Sequence, residues 1–177
     1  MANEPSTRSH ELRVATTWDG RLLPDEAVAH VSLSLGPDAL RVDVDAPFHR
    51  DPPPSGDPGP VWKLWEHEVV EVFIAGPGER YTEIEIGPWG HHLVLRLEGR
   101  RHIVERMIAL DLSVDRGAQR WRARASLGVE HLPPGPFTVN AYRIHGEAPE
   151  RRYLAAFPSQ GESPDFHRLE AFRPWPA

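Results

Sequence analysis

Residues 62–97, WKLWEHEVVEVFIAGPGERYTEIEIGPWGHHLVLRL, alternate apolar side chains with Glu, Tyr, His and Arg through three consecutive runs. The runs are Glu68–Ala75, Arg80–Gly87 and His91–Glu98. A period of two sends successive side chains to opposite sides of an extended chain, so each run is expected to be a β-strand. Gly76-Pro77-Gly78 and Gly87-Pro88-Trp89-Gly90 supply the intervening turns.

The pattern recurs along the chain. Leu12–Trp18 reads as a first strand, closed by Asp19-Gly20, and Val31–Val44 as a hairpin turning at Gly36-Pro37-Asp38. His102–Leu112, Arg120–Leu127, Phe137–His145 and Tyr153–Phe157 are further extended runs, and Gly128–Leu132 forms one helical turn. Asp51–Pro60, DPPPSGDPGP, is a loop, because Pro cannot donate to a ladder and Gly is too permissive. About ten short strands separated by Gly/Pro turns predict an all-β fold, an antiparallel β-sandwich with jelly-roll-like topology. With 177 residues and no internal repeat or linker, one domain is expected over 12–177, preceded by a flexible N-terminus at 1–11.

Composition excludes several classes. A net charge of −6 lacks the basic footprint of a nucleic-acid binder. The absence of Cys excludes disulfides, thiol nucleophiles and Cys-based zinc sites. No secretory h-region or membrane-length apolar run is present, so a cytoplasmic location with no membrane contact is expected. HExxH, EF-hand, phosphate-loop and GxSxG patterns are missing. No metal and no cofactor are expected, which leaves room only for a structural calcium on loop carboxylates. Oligomeric state is not legible.

Alternation assigns faces. Val70, Val72, Ile74, Ile84, Ile86, Leu93, Leu95 and Leu97 are expected to point into the core. Glu71, Tyr81, Glu83, Glu85, His92 and Arg96 then share the opposite face, with Arg122, Arg124 and Arg143 approaching from neighbouring strands. A cross-strand ladder of Glu–Arg pairs on a solvated surface accounts for this face structurally. A polar platform edged by Trp62, Trp65, Tyr81, Trp89 and Tyr142 accounts for it functionally, with aromatic rings against a sugar and charged groups on its hydroxyls. The loop 51–60 is expected to border such a site. No catalytic residue is assigned. An alternative is an enzyme using Glu71 or Glu83 as base with His92 or His145 as partner, and another is a protein-interaction domain.

The segments LWEHEVVEVFI (Leu64–Ile74), YTEIEIGPWG, NAYRIHG (Asn140–Gly146) and RRYLAAFPSQGESPDFHRLEAF (Arg151–Phe172) are similar to the family-9 carbohydrate-binding module-like group. The likeness spans roughly residues 12–173. LWEHEVVE with HHLVLRLEGRR most resembles a cytosolic branch without an assigned activity, found in bacteria and animals. The resemblance implies a jelly-roll-like sandwich and a sugar clamped between Trp rings and held by Glu, Arg and Asn. It implies ligand-binding roles for Trp65, Glu71, Asn140 and Arg143, with His92 or Arg96 as a further basic partner. Trp175 is the one late tryptophan that could serve as a second clamp. Sugar-binding members are usually attached to catalytic domains and secreted, and neither feature is visible here.

Overall fold

The computed structural model describes residues 8–176. Its strands are β1 (Arg8–Val14), β2 (Thr16–Thr17), β3 (Ala29–Leu35), β4 (Ala39–Pro47), β5 (Val69–Ala75), β6 (Arg80–Ile86), β7 (His92–Glu98), β8 (Ile103–Arg106), β9 (Asp111–Arg116), β10 (Arg120–Gly128), β11 (Thr138–His145), β12 (Arg152–Ala155) and β13 (Arg173–Pro174). Helical structure among the described residues is limited to single 3-10 turns, one of them at Val129–His131 where a helical turn was expected. No helix of the described residues is long and apolar enough to cross a membrane.

The strands form two antiparallel sheets. One has five strands in the order β1-β3-β4-β10-β9. The other runs β2-β12-β11-β5-β6-β7-β8, with β13 also on β11. Their facing surfaces share one apolar core: Leu12, Val31, Val42 and Trp121 meet Val70, Val72, Ile74, Ile84, Ile86 and Val94. The fold is therefore the all-β antiparallel sandwich that alternation predicts. β1 begins at Arg8, so residues 8–11, expected to be flexible, are paired with β3. The rest of that expected tail lies outside the described residues.

The large sheet is apolar on its outer face as well. Val69, Phe73, Tyr81, Leu93, Leu95, Leu97, Tyr142 and Ile144 form a second cluster there. The C-terminal segment covers it with Phe166 and Phe172, Phe166 stacking on Tyr142 at 3.9 Å between ring centroids. Every residue of β5 is buried as a result.

The register of β7 overturns part of the face assignment. Register places Glu83 opposite Leu95 and Glu85 opposite Leu93, so those leucines share the glutamate face. Thr82 lies opposite Arg96 and Ile86 opposite His92, which sends His92 and Arg96 to the inter-sheet face. The turn after Ile86 sets the phase of β7, and alternation alone does not reveal how many residues it consumes. Arg143 pairs with Val70 and is likewise internal. Arg122 and Arg124 belong to the five-stranded sheet.

Candidate functional site

Strands β5 and β6 bring three carboxyl groups together on the outer face of the large sheet. Glu71 lies directly across from Glu85, and Glu83 one pleat along on the same side, opposite Phe73. All three are buried, at 2%, 4% and 0% exposure for Glu71, Glu83 and Glu85. Glu71 Oε1, Glu83 Oε2 and both oxygens of Glu85 have no protein hydrogen-bond donor. Among the described residues none of the three forms an ion pair. The nearest guanidiniums are otherwise engaged: Arg101 pairs with Asp165 at 2.7 Å, and Arg151 donates to the carbonyls of Trp65, Glu66 and Gly146.

Burial without a cation disfavours the charged forms. Desolvation, then repulsion from Glu83, raises Glu71 well above the carboxylate range. Desolvation raises Glu83 to about 7, against the opposing influence of Glu85 and Arg101. Glu85 is raised by burial and by both neighbours, and the nearby Trp65 main-chain amide only partly offsets this.

A cavity of about 320 Å³ opens over this cluster. Glu71, Glu83, Leu95 and Leu97 line it from the sheet, Trp65, Ile144 and Tyr153 from one side, and Arg101 and Ile103 from the β7–β8 side. Pro164, Asp165, Phe166 and His167 close it from the C-terminal segment. Trp65 is packed edge-on by Trp62 at 5.2 Å. Arg101 holds a left-handed backbone, φ 60°, and donates its N–H to the Tyr81 hydroxyl at 2.9 Å. That hydroxyl lies 2.7 Å from His167 Nδ1. Burial first, then Arg101, holds His167 down to about 4, so its ring is neutral near pH 7.

Of the residues singled out from sequence, Trp65, Glu71 and Glu83 line the cavity, and Tyr81 supports its rim from beneath. Asn140 is on the same face but is committed to the fold. Its amide bonds the Tyr142 hydroxyl and both main-chain groups of Phe157, anchoring the start of the C-terminal cover. His92, Arg96 and Arg143 are corrected to the other side of the sheet. There Arg96 pairs with Glu105 at 2.8 Å, and Arg143 donates to the Ala27 carbonyl and contacts His49. His145 stacks on His49 at 3.6 Å and is also remote from the glutamates. The loop 51–60 contributes nothing to the lining. It seals one end of the sandwich through Trp89 Nε1 to the Asp51 carbonyl, 2.9 Å, and a bridge from Pro60 to His92. Trp175 is buried between the sheets beside Phe137, so it clamps nothing. Arg101, Tyr153, Asp165, Phe166 and His167 escaped assignment. The Pro164-Asp165-Phe166-His167 motif was the available signal for most of them.

The fold is shared with solved structures. A crystal structure of a candidate carbohydrate-binding protein from Bacteroides uniformis superposes with a TM-score of 0.65 at 16% identity, covering 95% of this chain and 84% of that one. A family-9 carbohydrate binding module from Caldicellulosiruptor kristjanssonii in complex with cellotriose is a more distant match, with a TM-score of 0.47 at 12% identity over 86% of this chain and 73% of that one. The chain belongs to the UPF0462 family: it is 39% identical over 172 residues to UPF0462 protein C4orf33 of Homo sapiens, across 92% of this chain and 86% of that protein. The Danio rerio homolog is 37% identical over 166 residues, 89% of this chain and 84% of that protein. No protein-family profile matches the chain.

Proposed function

We propose that the protein binds a carbohydrate or a related small polar ligand in the cavity over Glu71 and Glu83. The observation that carries this reading is a cavity of ligand size, about 320 Å³, with two buried carboxyl groups lacking donors and aromatic side chains around them. Hydroxyl groups of a ligand would supply the missing hydrogen bonds, while Trp65, Tyr153 and Phe166 offer apolar surface to a ring. The likeness in fold to the Bacteroides uniformis protein supports the same reading. Thermal-shift screening against mono- and oligosaccharides tests it. A true ligand raises the melting temperature by mass action, and Glu71→Ala is expected to reduce that shift by roughly the equivalent of tenfold in affinity or more. Unaltered binding by that variant overturns the assignment.

A second reading has its own support. Glu83, raised to about 7, suits a general acid–base group near neutrality, and His167 lines the same cavity. In an enzymatic role His167, rather than His92 or His145, would be the histidine beside the carboxylates. Turnover of a cavity-binding ligand that disappears in Glu83→Gln while binding persists would favour it.

A further inference from the structure

We propose that the ligand carries a protonated amine, seated on Glu71 and Glu83 with its body against Trp65, Tyr153 and Phe166. This rests on the ligand-binding reading above and adds to it the charge of the ligand.

The argument begins with what the site lacks. Glu71 and Glu83 are more than nine-tenths buried and line the cavity, and each has a carboxyl oxygen without a donor. Glu85, fully buried opposite Glu71, adds a third acidic group behind them. Arg101, the one cation of the lining, is drawn to Asp165. Arg151 acts on Glu71 through its charge alone, its N–H groups being spent on the carbonyls of Trp65, Glu66 and Gly146. Arg96 and Arg143 lie on the far side of the sheet, and Lys63 is paired with Glu66 at 3.2 Å. A site shaped for neutral hydroxyls alone does not need three acidic groups with no base bonded to any of them. Each added carboxyl makes ionisation of the others harder. A cation brought by the ligand removes that conflict.

The same surroundings select the kind of cation. Among the described residues no cluster of His, Asp or Glu has the geometry to hold a metal ion. Leu95, Leu97, Ile103, Ile144 and Phe166 make much of the lining apolar, which suits an organic body better than a hydrated ion. An ammonium group is compact, offers three donors to the orphaned oxygens, and is attracted to aromatic faces. The protons held by the carboxyl cluster leave to solvent as the ammonium enters, so binding is coupled to pH.

The test compares paired probes on the intact chain by calorimetry: glucosamine against glucose and N-acetylglucosamine, and cyclohexylamine against cyclohexanol. Each amine is expected to bind about tenfold or more tightly than its neutral counterpart at about pH 7, with the gap narrowing at about pH 5 as the cluster takes up protons. Glu71→Gln and Glu83→Gln, which keep shape and remove charge, should abolish the preference, and Arg124→Ala on the other sheet should leave it intact. If a Gln variant does not melt cooperatively, the pH dependence of the wild-type preference decides: a gap of constant size overturns the proposal. Neutral sugars binding as tightly as glucosamine overturn it while leaving the carbohydrate reading standing. Binding of cyclohexylamine with no sugar bound supports it and overturns the carbohydrate reading. Failure of both amines to bind overturns it whatever the neutral sugars do.

Discussion

The outer faces of the two sheets are built from the same alternation and end in opposite states. On the five-stranded sheet Arg122 bonds Asp45 at 2.9 Å and Arg124 bonds Asp43 at 3.1 Å, with both arginine side chains 73% exposed. Burial works against the Asp45 carboxylate, but hydrogen bonds from Arg122 and Arg120 hold it below its ordinary range. On the eight-stranded sheet Glu71, Glu83 and Glu85 occupy equivalent alternating positions, yet they are buried, form no ion pair with an arginine, and are raised. The ladder expected around Glu71 exists, but in the other sheet and with aspartate. A charged residue every second position thus marks a face without saying whether water or protein covers it. The cover decides: the paired, wet face is a solvated ladder, and the unpaired, covered one is the candidate site.

The largest effect expected from this contrast concerns the cover itself. Asn140 Oδ1 accepts from the amides of Ala141 and Phe157, at 2.9 and 3.0 Å, and its Nδ2 donates to Phe157 O and Tyr142 Oη. Asn140→Ala strands two main-chain N–H groups, each costing about 1–3 kcal/mol when buried without an acceptor. A total loss of roughly 2–5 kcal/mol is expected by urea unfolding, with faster amide exchange at Phe157. A loss under about 1 kcal/mol would mean that the outer cover is as loosely held as the Arg–Asp surface.

The second prediction turns on proton linkage. Glu83 is raised from 4.5 to about 7 on folding. A raised carboxyl stabilises the fold fully below its unfolded pKa, and that stability is lost as pH rises through the folded value. For Glu83 the shift corresponds to roughly 3 kcal/mol at most. Glu83→Gln, fixed in the neutral shape, should therefore be more stable than wild type at about pH 8 by up to about that amount, and nearly equal below about pH 4.5. The histidines run the other way. Burial and then Arg143 lower His49 to about 4 and His145 to about 3, so their contribution is lost as pH falls from 6.5 toward those values. It falls equally in both proteins and cancels in the difference. Unfolding curves at acid and alkaline pH check this, and a stability difference independent of pH would show that folding leaves the Glu83 carboxyl unshifted.

How much of this could be read from the chain follows the same divide. Strands β5 and β6 were legible, and with them Glu71, Tyr81, Glu83 and Glu85 on one face, because their alternation is unbroken and their turn is short. The phase of β7 was not, since one residue more or less in the turn at 87–91 exchanges Leu95 for Arg96 on that face. Burial of the glutamates was not legible either. It comes from residues near Phe166 and Phe172, which have no period and reach the sheet through long-range packing onto Tyr142 and Phe73. The left-handed backbone at Arg101 carries no sequence mark, because Gly or Asn is the usual occupant of such positions.

The smallest expected effect lies on the paired face. Arg124→Ala removes one exposed arginine from Asp43. In open solvent such a pair contributes about 0–1 kcal/mol, because water solvates either partner alone and salt screens the attraction. Stability should fall by less than about 1 kcal/mol and the residual difference should vanish in roughly 1 M salt. A loss of several kcal/mol, persisting in salt, would mean that the Arg–Asp surface is also covered in solution. The contrast between a wet face and a ligand-ready one would then fail at its simpler end.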